Sequence, residues 1–241
     1  MDLKIKDVAE LLNVSETTIR RWLVGGQIPA YRLNHQYRFS RLEIENWMMS
    51  CKLKKEEGFS SFGKECKEDS SEEGSFELPL AKAGTQQFSL FRALHKGEVL
   101  THVPGNSKEE IIRAGAKAAS IKLGLDAGLV AEFLLDREKL MSTALNHGIA
   151  IPHPREFIVK GQADMVIALF PENPIDFGAL DGEPVHSLFF LFSSQDKRHL
   201  HLLAKVAHLS AHSEAIQLLR AHPEKEALMS FIRSWESSIN A

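Results

Sequence analysis

The residue best placed for chemistry in this sequence is a histidine held between two prolines. The stretch from Arg137 to Arg155 runs through an apolar, β-type segment, Gly148-Ile149-Ala150-Ile151, and stops at Pro152-His153-Pro154. Proline fixes its own φ and pushes the residue before it toward extended backbone. Ile151 and His153 both precede a proline, so the His153 ring is expected at the mouth of a strand, on a rigid base with few rotamers. Neutral imidazole is a good nucleophile near physiological pH. A ring fixed in this way suits a nucleophile that must meet a partner's active site in one geometry. A lone Pro-His-Pro is more often structural than catalytic, so the surrounding elements have to carry the functional reading.

Those elements can be read in chain order. Ser107-Lys108-Glu109-Glu110 has the form of a capping box and opens a helix through Ile111, Ile112, Ala118, Ala119 and Leu123. Asp126 caps a second helix, expected to end near Leu135-Asp136. Strand-like runs follow at 147–151, 163–170 and 185–193. Leu188-Phe189-Phe190-Leu191-Phe192 is apolar on both faces, as a central strand covered by helices should be. A long helix around His199 to Leu209 and two shorter ones complete the chain. Helices and strands intermix, which predicts an α/β (α+β layered) domain with a mixed sheet flanked by helices.

The pattern Arg137-Glu138, Ser142-Thr143 and Gly148-Ile149-Ala150-Ile151-Pro152-His153 resembles the active-site segment of enzyme IIA, type 2, of the phosphoenolpyruvate-dependent phosphotransferase system, the fructose–mannitol and nitrogen-regulatory class. The likeness extends roughly from Phe88 to Trp235. It includes Gly182-Glu183-Pro184-Val185 ahead of an apolar run, then His199-Leu200-His201-Leu202-Leu203-Ala204. The resemblance implies that His153 is the phosphorylated residue. It implies that His199 is a neighbour that donates a hydrogen bond to the phosphoryl oxygens or orients the His153 ring, and that Arg137 offers a bidentate fork to phosphate. Thr143, with Ser142, is implied as polar support. Phosphoryl transfer needs mainly in-line positioning and positive charge around the equatorial oxygens, which such a set supplies. The implied donor is a histidine phosphocarrier protein. At Pro154 the sequence departs from the family, which often has a small residue there, frequently glycine. A glycine would offer its backbone N–H to the phosphate; proline has none, and Arg155 brings charge instead. The reading requires the His153 ring to be reachable and close to both Arg137 and His199.

The first 49 residues carry a different signal. Ile5, Val8, Ala9 and Leu12 recur at helical spacing, Asn13-Val14-Ser15 interrupts them, and a second helix from Glu16 to about Val24 places Ile19, Trp22 and Leu23 on one stripe. Gly25-Gly26 ends it. The chain then alternates through Ala30-Tyr31-Arg32-Leu33, turns at Asn34-His35-Gln36 and returns through Tyr37-Arg38-Phe39, a β-hairpin wing. Ser40-Arg41-Leu42-Glu43 is a further capping box, opening a helix to about Met49 whose Leu42, Ile44 and Trp47 can close a small core. Residues 3–49 resemble the excisionase or MerR-type winged helix-turn-helix family, departing only where Lys4 stands in place of the usual Thr or Ser cap. DNA binding would place the start of the second helix in the major groove. Thr17, Thr18 and Arg21 would then contact base edges or phosphates, with Arg20, Arg38 and His35 or Gln36 on backbone phosphates.

Charge separates the parts. Residues 1–55 carry ten Lys/Arg and six Asp/Glu, whereas residues 56–77 carry two and eight, within a net charge of −3. Residues 50–87 are rich in Glu, Ser, Lys and Gly and read as a flexible linker. The expected organisation is a winged helix-turn-helix domain at 1–52, an acidic linker at 53–87 and the enzyme IIA type 2 domain at 88–241. The first residues lack a signal-peptide core, and the densest apolar run, Val185 to Phe192, is too short for a bilayer, so a cytoplasmic chain with no membrane insertion is expected. Cys51 and Cys66 form no metal or redox motif. His208 and His212 are spaced i, i+4, but no Glu or Cys cluster accompanies any of the eleven histidines at zinc spacing, so no metal and no cofactor are expected.

Together these features predict a regulator whose DNA-binding head is governed by a phosphotransferase-type body. Two rival readings stay open. One is a phosphocarrier component of sugar uptake that hands phosphate to a IIB unit. The other is an unphosphorylated, protein-binding regulator.

Overall fold

A computed structural model describes residues 2–12, 14–33, 36–53, 89–159 and 164–238. The head has helices α1 (Ile5–Leu12), α2 (Glu16–Val24) and α3 (Arg41–Leu53), with strands β1 (Asp2–Leu3), β2 (Tyr31–Leu33) and β3 (Gln36–Ser40). The expected hairpin is present, and β1 adds to its other edge in the antiparallel order β1-β3-β2. At the head of α1 the missing Ser or Thr cap is partly replaced: Asp7 accepts the Lys4 backbone N–H at 2.8 Å. Ser15 caps α2 through the Thr18 N–H. Its end is a Schellman turn, in which Gly26 takes a φ of +64° and the Gln27 N–H reaches the Trp22 carbonyl at 2.8 Å. Val8, Ile19, Trp22, Phe39, Ile44 and Met48 form the buried centre. Helix α3 continues past the expected end near Met49. Residues 54–87 of the expected linker, including Phe59, Phe62 and Phe76, lie outside the described residues.

The body opens with α4 (Leu90–Lys96) and β4 (Val99–Val103), neither of which the sequence had disclosed. Strand β4 is short, lies at the sheet edge and is half-buried along most of its length, so it carries no alternating pattern. Then come α5 (Lys108–Leu123), α6 (Ala127–Leu140), β5 (Ile149–Ala150), β6 (Met165–Pro171) and β7 (Ser187–Phe192). Helices α7 (Asp196–Leu209), α8 (Ser213–Arg220) and α9 (Lys225–Ser238) finish the described chain. Two sequence expectations need correction. Helix α6 runs past Asp136 because Arg137, Glu138, Lys139 and Leu140 all favour helix, which puts Arg137 on its last turn. Helix α9 has 14 residues, as many as α7, and is not short.

The sheet has order β4-β6-β7-β5, with β4–β6 and β5–β7 parallel and β6–β7 antiparallel. Strands β6 and β7 are buried at every position. Ile167, Leu169, Phe190 and Phe192 face the α5–α6 layer, and Val166, Ala168, Phe189 and Leu191 face the opposite layer that contains α7 and α9. Buried Glu236 of α9 ties this second layer together. It accepts the Leu90 N–H at 2.7 Å and the Phe91 N–H at 3.2 Å, at the start of α4, and pairs with Lys205 at 2.6 Å. A negative charge at exposed N–H groups of a helix start is favourable.

The approach to His153 depends on a tight turn at 147–148. His147 and Gly148 have φ values of +65° and +70°. A Cβ on Gly148 would lie 2.5 Å from His186 Cδ2 and 2.9 Å from the Pro184 carbonyl oxygen. Gly148→Ala should therefore destabilise the body by about 2 kcal/mol or more, read as a lower urea midpoint at unchanged slope.

Candidate phosphoryl-acceptor site and the helix that covers it

The segment carrying His153 is held rigidly on both sides. The Ile151 N–H donates to the Thr143 carbonyl at 2.9 Å, and the Leu191 N–H of β7 donates to the Pro152 carbonyl at 3.0 Å. The ring itself is oriented by its own backbone: His153 Nδ1 lies 2.7 Å from the Ile151 carbonyl oxygen. A carbonyl only accepts, so Nδ1 carries the proton. In the neutral ring Nε2 is then a bare lone pair, the nucleophilic atom.

His199 reaches this ring from the first turn of α7, edge-on, with ring centroids 4.9 Å apart. The expected pairing of the two histidines is present. Arg137 is almost fully buried and spans from its Nη1, which donates to the Met141 carbonyl at 3.1 Å, to its Nη2, which donates to Asn46 Oδ1 at 3.1 Å. Its Nε has no partner among the described residues. Thr143 has a supporting place. Its backbone N–H and hydroxyl both donate to Glu138 Oε2, at 3.0 and 2.6 Å, and Lys108 braces Glu138 at 3.0 Å. Ser142 donates to the Phe177 carbonyl at 2.8 Å. Neither hydroxyl is placed against the His153 ring by these bonds, so both position the segment instead of lining the nucleophile.

The expectation of a reachable ring needs revision. His153 is 0% exposed, and the group facing its Nε2 belongs to the head. Glu45 of α3, 2% exposed, places Oε2 3.5 Å from His153 Nε2 and Oε1 3.1 Å from His199 Nε2. Arg41, one turn earlier, donates its Nε–H to Glu45 Oε1 at 2.6 Å. The same guanidinium lies over the Phe157 ring at 4.4 Å, reaches the Arg155 carbonyl at 3.4 Å and pairs with Asp196 at 3.2 Å. Further out, Lys197 of α7 pairs with Glu10 of α1 at 2.7 Å. Sequence reasoning missed Glu45, Asn46 and Arg41 as site residues, because each reads as an ordinary polar position on an amphipathic helix.

Electrostatics fix the charge states. Burial pushes His199 down to about 4, against the opposing pull of Glu45, so the ring is neutral at neutral pH. For Glu45 burial acts upward, but His199 and His153 outweigh it and hold the carboxyl well below the usual range. The site is therefore an ionised carboxylate set among imidazoles and beside the Arg41 guanidinium. Arg137 is lowered by its burial, and Glu45 and Glu138 pull it back up.

Glu45, His153 and His199 also bring one ligand atom each within 4.8 Å of one another. Two imidazoles and a carboxylate can hold a divalent transition metal. The expectation of no metal rested on spacing along the chain, which cannot see Glu45. However, Glu45 Oε1 is already engaged by a guanidinium, and a second guanidinium, Arg137, is close enough to act on it. That cationic surrounding suits an anion better than a dication.

The DNA-contact candidates lie elsewhere. Thr17, Arg20 and Arg21 are exposed on α2, and Tyr31, Arg32 and Leu33 are exposed on the wing. Thr18 is half-buried and spends its N–H and hydroxyl on Ser15 at the helix cap. Arg20 lies 3.7 Å from Glu16, and Arg38 donates to the Tyr37 carbonyl and to Gln36 Oε1. His35 lies outside the described residues.

A helix-turn-helix head on a layered α/β body, with paired histidines at the mouth of a mixed sheet, defines the class. Residues 92–235 match the family described as phosphoenolpyruvate-dependent sugar phosphotransferase system, EIIA 2, and residues 3–52 match a helix-turn-helix domain. The chain belongs to that enzyme IIA family and carries the helix-turn-helix domain ahead of it. Among its relatives is the nitrogen regulatory protein of Pseudomonas aeruginosa, 36% identical over 146 residues, covering 59% of this chain and 94% of that protein. The nitrogen regulatory protein of Escherichia coli K12 is 35% identical over 136 residues, 55% of this chain and 82% of its own length. The crystal structure of nitrogen regulatory protein IIA-Ntr from Neisseria meningitidis superposes with a TM-score of 0.54 at 27% identity, over 59% of this chain and 98% of that one. No helix among the described residues is long and apolar enough to cross a membrane.

The histidines give the body an acid sensitivity of defined sign. Burial lowers both His199 and His201 to about 4, and for His201 the charges of Lys197 and Lys205 add to it. Unfolded, both rings protonate near ~6.5. Between those values the unfolded chain binds more protons, so this stability is full above the upper value and is lost as pH falls toward the lower one. The urea-derived stability should drop from pH 7 to pH 5 by on the order of 1 kcal/mol per histidine. The His199 imidazole should stay neutral by NMR across that interval.

Proposed function

We propose that the protein is a phosphotransferase-system regulator that accepts a phosphoryl group on His153 and binds DNA through its helix-turn-helix head. One observation carries the reading: the Ile151 carbonyl fixes the proton on Nδ1 and leaves Nε2 as a positioned nucleophile beside His199. In the transfer, the P–N bond of a phosphorylated histidine phosphocarrier protein breaks as the P–N bond to His153 Nε2 forms. The Nδ1–H stays on the Ile151 carbonyl and stabilises the ring as it gains positive character. Arg137 would neutralise phosphoryl charge, and His199 would orient or hydrogen-bond the transferred group. Thr143 and Ser142 keep the segment in place through Glu138 and Phe177.

Incubation with a phosphorylated histidine phosphocarrier protein should label the wild-type chain and leave His153→Ala unlabelled. Labelling of His153→Ala would remove the assignment. Loss of label to an added IIB protein would favour the transport reading. For the head, the exposed faces of α2 and the wing support DNA contact. Arg21→Ala should weaken binding about uniformly across sequences and lower the salt slope by about one if it holds a phosphate. A change confined to one base position would mark it as a base contact instead.

A further inference from the structure

The proposed acceptor site is occupied by the chain itself. Among the described residues, the head buries the Glu45 carboxylate of α3 against the two imidazoles. Its oxygens take positions that phosphoryl oxygens would occupy if His153 were modified: one faces His153 Nε2, and the other lies between His199 and the Arg41 guanidinium. Next to it, Asn46 occupies Nη2 of Arg137, the cation expected to serve the phosphate. The contact is built from both sides. Arg41 clamps the 155–157 segment and the start of α7, while Lys197 and Glu10 close the rim. The apolar centres of the head and of the α7 layer form one continuous cluster.

We infer that the site around His153 is a docking surface for the chain's own head, with Glu45 as its acidic ligand, so that a docked head and a phosphoryl group on His153 exclude one another. The exclusion rests on the reading of His153 as acceptor. Its physical basis is simple. Attack by Nε2 needs the donor phosphorus in line with the lone pair, where Glu45 now stands. Once transferred, the phosphoryl group brings about −1.5 to −2 charges against a buried carboxylate, and like charges at such a distance in low dielectric repel strongly. Phosphorylation therefore expels α3, and a docked α3 slows phosphorylation. Docking leaves α2 and the wing exposed, so the device controls where the head sits and when His153 can react. It does not work by hiding the recognition helix.

The test uses the full chain as wild type, Glu45→Ala and Glu43→Ala; Glu43 is exposed on the same helix and serves as the control. Folding is checked by circular dichroism. Each protein is labelled by a phosphorylated histidine phosphocarrier protein, and its dimensions are measured by small-angle X-ray scattering. Glu45→Ala should label at least about tenfold faster and scatter as a more extended particle, with Glu43→Ala like wild type. Wild type should extend once phosphorylated. Equal rates and equal dimensions for wild type and Glu45→Ala would overturn the inference. Extension of Glu45→Ala with no label in any protein would retain docking through Glu45 and sink the acceptor reading, and with it the exclusion. If a chelator alone made wild type behave as Glu45→Ala, the carboxylate would be a metal ligand, and direct docking would be overturned.

Discussion

A single ionised carboxylate, shut away from water between two modules, decides the arrangement of this molecule. Removing a carboxylate from solvent costs several kcal/mol even after relaxation, and only a full set of partners recovers it. Arg41 is one such partner and travels with Glu45 on α3. The other, His199, belongs to the body and sets its Nε2 3.1 Å from the carboxylate, while Nε2 of His153 faces it at 3.5 Å. The head is thus held against the body by a carboxylate that meets the body's histidines.

The body supplies the rigid half of this contact. Strands β6 and β7, buried along their whole length, form a platform that cannot shift without opening the core. The His153 segment is bolted to that platform through Leu191 and to the preceding turn through Thr143. Buried Glu138 fixes that turn in its own right, accepting from Thr143 and Lys108. The result is an imidazole with its tautomer set by one short bond, at a place where two helices, α6 and α7, deliver a guanidinium and a second imidazole. The proposed acceptor geometry and the head contact draw on the same two imidazoles.

The head supplies the other half. Within it α1, α2 and α3 close over Val8, Ile19, Phe39 and Ile44, and Trp47 donates to the Gln27 carbonyl at 2.6 Å to lock the wing's entrance. Helix α3 has two working faces. Ile44 and Met48 look into the head, and Arg41 and Glu45, one turn apart, look into the body. The exposed candidates Thr17, Arg20 and Arg21 lie on another element, α2.

How much of this the sequence disclosed differs from element to element. The cap at Ser15, the glycine pair after α2, the Ser107 cap and the apolar run of β7 are local signals, and each produced the element expected of it. Pro152-His153-Pro154 likewise marked the candidate nucleophile, because proline restricts its neighbours whatever the fold. The sequence was silent where the deciding contact is long-range or the pattern weak. Strand β4 is an edge strand without alternation, and α6 outran its expected end. Most of all, nothing in Arg41-Leu42-Glu43-Ile44-Glu45 distinguishes the exposed glutamate at 43 from the buried one at 45. Composition and periodicity report which residues share a face of one helix, so the sequence alone determined the two modules and the histidine. Only the tertiary structure decided that Glu45 meets that histidine, because a charge buried between domains depends on groups more than a hundred residues apart, which no local pattern encodes.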